Sequence, residues 1–373
     1  LVDNTGAKLT VSDSSTFTVK GTKNSGIYVN DANTIEDNNS TFTVSGTNSN
    51  GINGVKASGL TLKGTWMTID GTNSNGVILR SQVTPINIEG GTGTHARGSY
   101  TVQGTGNNGI FVTNGTTVDK IDKTDFTVEK DGVGILVGDK DGKGTITTIT
   151  DTTINVNGTD NNAGTGIYVY HGNVTVGKDT SISGNGDDVL MTVNTHDTTS
   201  TSINNEIKFT KSGSKVELNA TGNNNIAINL QNGVTSDQST TTITGDNVDI
   251  TLNGNRNSVY KVNGYVNKLM IDNGDTVGTT NPVGIDNLSD PLTTKGKGRI
   301  YVNGDYNAVY DGLAYVDSNT TSKLVLGDVQ MIGNNNTIVK LNGPTEDASS
   351  TTYKNKAPVG AFAGKIHIQG AMG

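Results

Sequence analysis

The strongest constraint on this chain is a phrase that returns along it. It reads FTVKGTKNSGIYV at Phe17–Val29, FTVSGTNSNGINGV at Phe42–Val55, MTIDGTNSNGVIL at Met67–Leu79 and YTVQGTGNNGIFV at Tyr100–Val112. FTVEKDGVGILV at Phe126–Val137 and INVNGTDNNAGTGIYV at Ile154–Val169 continue it, and looser copies start at Ile182, Val216, Ile250, Ile300, Val329 and Ile366. About twelve copies at spacings of about 25–35 residues signal a solenoid or a related repeat array, in which a compact catalytic domain has little place.

Each copy opens on an apolar, polar, apolar triplet. One register holds Phe17, Phe42, Met67, Tyr100, Phe126, Ile154, Ile182, Val216, Ile250, Ile300, Val329 and Ile366, and the residue two further on is mostly Val, Ile or Leu. Thr18, Thr43, Thr68, Thr101 and Thr127 stand between. This period of two is that of a strand with one buried face. A Gly/Asn-rich turn follows, because those residues accept positive φ. A second short strand comes next, as in Gly26-Ile27-Tyr28-Val29, and a third apolar pair such as Leu60/Leu62 or Ile86/Ile88 precedes the next copy.

Three short strands per copy predict an all-β fold, a right-handed parallel β-helix whose strands pair with their equivalents one turn away. At about 4.8 Å per turn, twelve or thirteen turns make a rod about 60 Å long. A propeller blade needs about 40–50 residues. A sandwich of antiparallel hairpins would not hold one motif in register so often. The leucine-rich frame is absent. The single elongated unit is predicted to extrude loops near 80–99, 272–298 and 343–364, where Pro and Gly stretch the period.

Composition narrows the function. The 373 residues carry a net charge of −8 and no cysteine, with 31% hydrophobic residues. Low hydrophobicity alone suits disorder, but the modest charge and the strict pattern do not. The acidic balance argues against a nucleic-acid partner. Disulfides and thiolate metal sites are excluded.

Six of the 11 tyrosines fall at Tyr260, Tyr265, Tyr301, Tyr306, Tyr310 and Tyr315. The third residue of Gly-Ile-x-Val should point outward, and reading Tyr28, Ile78, Phe111, Leu136, Tyr168, Tyr260 and Tyr310 at that position gives an apolar outer stripe. Cross-turn stacking is the structural explanation of such a stripe; exposed aromatics that bind a receptor or glycan are the functional one. We take the six tyrosines, with loop 272–298, as the candidate binding surface.

Catalytic signals are sparse. Gly186-Asp187-Asp188 resembles a motif of β-helical polygalacturonases, where paired carboxylates perform glycoside hydrolysis. Yet no Gly-His-Gly or Arg-Ile-Lys follows, and the pair stands where other copies carry turn residues. His95, His171, His196 and His367 are scattered, without metal-ligand spacing. Asp139-Lys140-Asp141-Gly142 hints at a calcium loop, but Thr150 stands where the twelfth-position Glu is required. No enzyme activity, metal or cofactor is expected.

The strand–turn phrase, the cysteine-free Thr/Asn/Gly composition and the beginning and end in mid-pattern resemble the passenger domain of a bacterial type Va autotransporter, most closely the large fusobacterial surface adhesins. That resemblance implies a segment of a longer passenger, displayed on the bacterial cell surface by an outer-membrane β-barrel outside this sequence. It implies a monomer that attaches to a host cell-surface protein or glycan, or to a partner bacterium. Family members share no binding residues, so none is carried over. A polysaccharide lyase or hydrolase on the same fold, and a passive stalk, are the competing expectations.

Overall fold

The computed structural model describes residues 6–370 apart from 13, 31–32, 82–85, 141, 159–162, 195–202, 211–215, 232–239, 246–247, 264–267, 272–298, 313–323, 326–327 and 342–365. Short strands dominate, and they form three parallel sheets of 11, 12 and 11 members. The chain visits the sheets in turn: Lys8–Val11 in the first, Thr16–Val19 in the second, Ser25–Asn30 in the third. Thr34–Asn38 then returns to lie beside Lys8–Val11. This is a parallel β-helix. Nine consecutive turns lie between Lys8 and Asn263, and strands from Lys268 onward extend every sheet. Among the described residues the one helical element is a 3-10 turn at Gly93–His95.

The recurring phrase forms the second sheet. Phe17, Phe42, Met67, Tyr100, Phe126, Ile154 and Ile182 pair in register from turn to turn. All but the partly covered Phe17 are buried, and the Phe17 and Phe42 rings stack with centroids 4.5 Å apart. The next copy joins the column two residues later than the sequence suggests: Leu218, not Val216, pairs with Ile182. Leu218 then meets Ile250, and Ile250 meets Ile300. Each buried apolar side chain contributes about 1.5–3 kcal/mol. One turn cannot cover its own upper and lower surfaces, so only stacked turns realise that gain.

A polar spine runs up the corner between the second and third sheets. Asn24 N–H donates to Ser49 Oγ (3.1 Å), Ser49 N–H to Ser74 Oγ (3.0 Å) and Ser74 N–H to Asn107 Oδ1 (2.8 Å). Higher up, Asn225 N–H donates to Asn257 Oδ1, Asn257 N–H to Asn307 Oδ1 and Asn307 N–H to Asn336 Oδ1, each at 2.8 Å. The sharp corner breaks the strand ladder, and these side chains satisfy the amides it would otherwise bury alone.

Stretch 80–99 is less of a loop than its composition predicts. Asn75–Arg80, Ile86–Glu89 and Gly98–Gln103 are sheet strands, and among the described residues between them Ser81 and 90–97 stand outside the sheets. The predicted loops 272–298 and 343–364 lie outside the described residues.

Candidate functional site

The candidate tyrosines divide. Tyr260 and Tyr310 pair in adjacent turns of the third sheet, but both point inward, with 0% and 5% exposure. Tyr260 sits opposite Ile228, so it belongs to the inward Ile column, and Lys261 and Asp311 take the outward place. Burial pushes the Tyr260 phenol well above its ordinary range and does the same at Tyr310. Neither ring lies on the exposed surface that the sequence predicts for it. The outward stripe holds for Ile78, Phe111, Leu136 and Tyr168, which pair from turn to turn and cover one another. Tyr301 lies half-buried in the outward column of the second sheet, between Thr251 and Gln330. Tyr306 is 60% exposed at a turn residue with φ 59°. Arg256, one turn earlier at φ 58°, shares that corner. Tyr265 and Tyr315 lie outside the described residues.

A second external feature, absent from the sequence reading, is built where residues 90–97 fold back over the corner between the first and second sheets. Gly91 N–H donates to His95 O (2.9 Å), closing a tight loop. The loop lies flat on the turns beneath because of two glycines. A Cβ on Gly91 would stand 2.1 Å from Asn39 Oδ1, and one on Gly64 (φ 61°) would stand 2.4 Å from His95 O. The His95 ring stacks on Trp66 with centroids 4.0 Å apart, and its Nδ1–H donates to Gly64 O (2.7 Å). Trp66 occupies an outward column position between Thr41 and Ser99, is 37% exposed, and donates from Nε1 to Arg97 O (3.1 Å).

Arg97 anchors the far end of the loop. Its guanidinium forms a two-pronged contact with Asp125 (2.8 and 2.9 Å) and reaches Asp151 Oδ1 (2.9 Å) in the turn above. On the first-sheet side, the loop borders an open cleft of about 350 Å³, lined by Thr10, Ser12, Asn38, Asn39, Lys63, Gly91 and Thr92. The result is a ledge: a fixed, partly exposed indole–imidazole pair on one side and an open cleft bordered by hydroxyl, amide and one lysine side chain on the other. Such a ledge can stack on an apolar face and hydrogen-bond a polar rim.

The remaining described sequence candidates stand in turns and strands of the coil. Asp188 is buried in the corner spine, where Oδ1 accepts from Gly158 N–H (2.6 Å) and Oδ2 from Asn185 N–H (2.7 Å). Burial raises its affinity for protons, against the pull of those amides. Asp187, at φ 56°, accepts from Asn224 Nδ2 (2.9 Å). Asp139 closes a short turn by accepting from Gly142 N–H (2.9 Å). Among the described residues no cluster of three or more His, Cys, Asp or Glu side chains could hold a metal ion. His171 ends a third-sheet segment, its N–H donating to Val137 O, and His367 pairs with Gln330 in the last described strand. His196 lies outside the described residues.

Comparison with family models, with curated proteins and with solved structures finds no match to this chain.

Proposed function

We propose that this chain is an adhesive segment of a bacterial surface protein, of the autotransporter passenger type, which holds a non-covalent contact site out on a stiff rod. One observation carries the reading. A continuous apolar cluster fills the coil, so recognition falls to the outer faces, and there the Trp66–His95 pair stands as a stacked, partly exposed aromatic unit in the outward column of the second sheet. Aromatic residues fixed on rigid elements lose little side-chain freedom on binding, which suits them to recognition. A host protein, a glycan or a partner bacterium is the proposed ligand class. The carboxylates of Asp187 and Asp188 already serve the turn they stand in, which supports binding over glycoside cleavage.

The test is retention of host cells and of partner bacteria on a surface coated with the purified chain, beside a glycan array. The adhesin reading expects saturable binding that falls at least about tenfold in Trp66→Ser, about 1.4 kcal/mol. It expects a smaller loss in Tyr306→Asn. No binding to any of these surfaces would favour the passive stalk. Release of reducing ends from polyuronides, abolished in Asp187→Ala, would favour the enzyme.

A further inference from the structure

Among the described residues, the inward column of the first sheet that runs through Val11, Leu62 and Ile88 holds one carboxylate, Asp37. Asp37 stands between Val11 and Leu62, and Leu62 pairs in turn with Ile88. Its side chain is 0% exposed. Oδ2 accepts from Thr65 Oγ1 at 2.5 Å. The equivalent hydroxyls of other turns act differently: Thr124 and Thr152 donate to carbonyls two residues earlier in their own turns. The Thr65 hydroxyl is therefore diverted to the carboxyl. Asp37 Oδ1, Ser40 Oγ and the Tyr100 phenol oxygen are buried without a well-aligned hydrogen bond, although the Ser40 hydroxyl and amide stand close enough to the carboxyl to oppose its protonation.

We propose that Asp37 is a proton-operated lock on the corner beneath the 90–97 loop: the neutral acid keeps the corner closed, and its ionisation loosens it. A bare carboxylate at this depth needs a cation or a full set of donors, and the described neighbours offer no cation in contact. The titratable groups that face it are His95, from the loop, and Tyr100, from the second sheet. Lys8, Glu36 and Lys63 belong to the outward faces of the adjoining strands, where Lys8 and Glu36 pair at 2.8 Å. Protonation gives the carboxyl a hydrogen to donate, for which the adjacent, otherwise unpaired Ser40 hydroxyl is the acceptor. Burial raises the proton affinity of Asp37, against the opposing influence of Ser40, Thr65 and His95.

The sign of the linkage follows. Because the folded form holds the proton more tightly, the stabilisation is complete below the unfolded value of about 3.9 and is lost as pH rises through the folded value. Ionisation frees the Asn39 and Gly64 corner on which the Trp66–His95 ledge rests. The inference therefore concerns regulation of the site used in the adhesin reading. It is tested on the corner itself, without ligand, so either idea can fail while the other stands.

Two measurements decide it. The first follows the Asp37 carboxyl carbon by NMR in the unaltered chain from about pH 3 to about pH 8. The lock requires a midpoint above those of the half-exposed carboxyls of Asp125 and Asp151; a midpoint with theirs or below overturns it. The second is amide exchange, corrected for intrinsic rate, over residues 34–44, 59–70 and 90–101. In the unaltered chain protection should fall at least about tenfold between about pH 4 and about pH 7. In Asp37→Asn, permanently neutral, it should be nearly flat. Equal pH dependence in both chains, or none in either, overturns the proposal.

Discussion

The lower and upper parts of this rod solve the same corner with different chemistry. In the lower turns the spine between the second and third sheets alternates chemistry, with Ser49 and Ser74 flanked by Asn24 and Asn107, and in the upper turns it is asparagine throughout at Asn225, Asn257, Asn307 and Asn336. A serine hydroxyl both accepts from the neighbouring turn and donates to a carbonyl below, as Ser74 Oγ does to Gly46 O (2.9 Å). An asparagine divides those duties between Oδ1 and Nδ2, and Asn257 Nδ2 reaches Gly222 O (3.1 Å). Aromatic packing also moves between the two parts. Phe17, Phe42, Tyr100 and Phe126 line the second sheet low in the rod, whereas Tyr260 and Tyr310 line the third sheet high in it. The backbone path is what the repeat preserves; the side chains that hold it are interchangeable sets.

The largest test of that comparison is in the aromatic column. Phe42→Ala should cost about 3–5 kcal/mol, because a fully buried ring leaves a cavity between two packed turns. Urea unfolding measures it, and a loss under about 1 kcal/mol would mean that the column is not the core of the lower part. Next comes the spine. Asn257→Ala strands the Asn225 amide, one Asn225 side-chain bond and the Gly222 carbonyl and leaves the larger void, for about 2–4 kcal/mol, while Ser74→Ala strands the Ser49 amide and the Gly46 carbonyl around a smaller void, for about 1–3 kcal/mol. If the two cost the same, the division of duties is not what distinguishes the corners.

Smaller effects sharpen the picture. Tyr306→Asn should stabilise by about 1 kcal/mol, since asparagine tolerates the left-handed conformation that tyrosine does not. Binding lost alongside that gain would show that the strain serves recognition. Tyr260→Phe should change stability by less than about 1 kcal/mol, because the phenol oxygen is buried with no hydrogen-bond partner in the protein. A large destabilisation would reveal a bond the packing does not show.

The second sheet was legible in the sequence because its period of two is nearly unbroken and its turns begin on the same Gly and Asn residues. The upper third sheet was not. In the lower copies a glycine precedes the inward isoleucine, and a Cβ on Gly26 would touch Val19 and Phe42 in the core. In the upper copies Val259 and Val309 fill that place, both fully buried. Two successive inward residues hide the alternation, and the reading slips by one, which turns Tyr260 and Tyr310 outward on paper. The ledge was hidden for a different reason. Trp66 and His95 come from different turns, and the sole hints were a tryptophan in a threonine column and the Gly90-Gly91 pair. Asp37 goes unnoticed in the sequence because Thr34-Ile35-Glu36-Asp37-Asn38 is polar at four positions of five.

One measurement tests the architecture most directly, and the absence of native cysteine makes it clean. Spin labels placed on outward positions of the second sheet report distance by pulsed electron resonance. Thr43 and Thr127 are three turns apart, and Thr43 and Asn219 are six. A stacked solenoid places the backbones of these pairs about 14 Å and about 29 Å apart, so the distance grows in proportion to the number of turns. Distances that fail to grow in that proportion, or that are broad for both pairs, would contradict a single continuous coil.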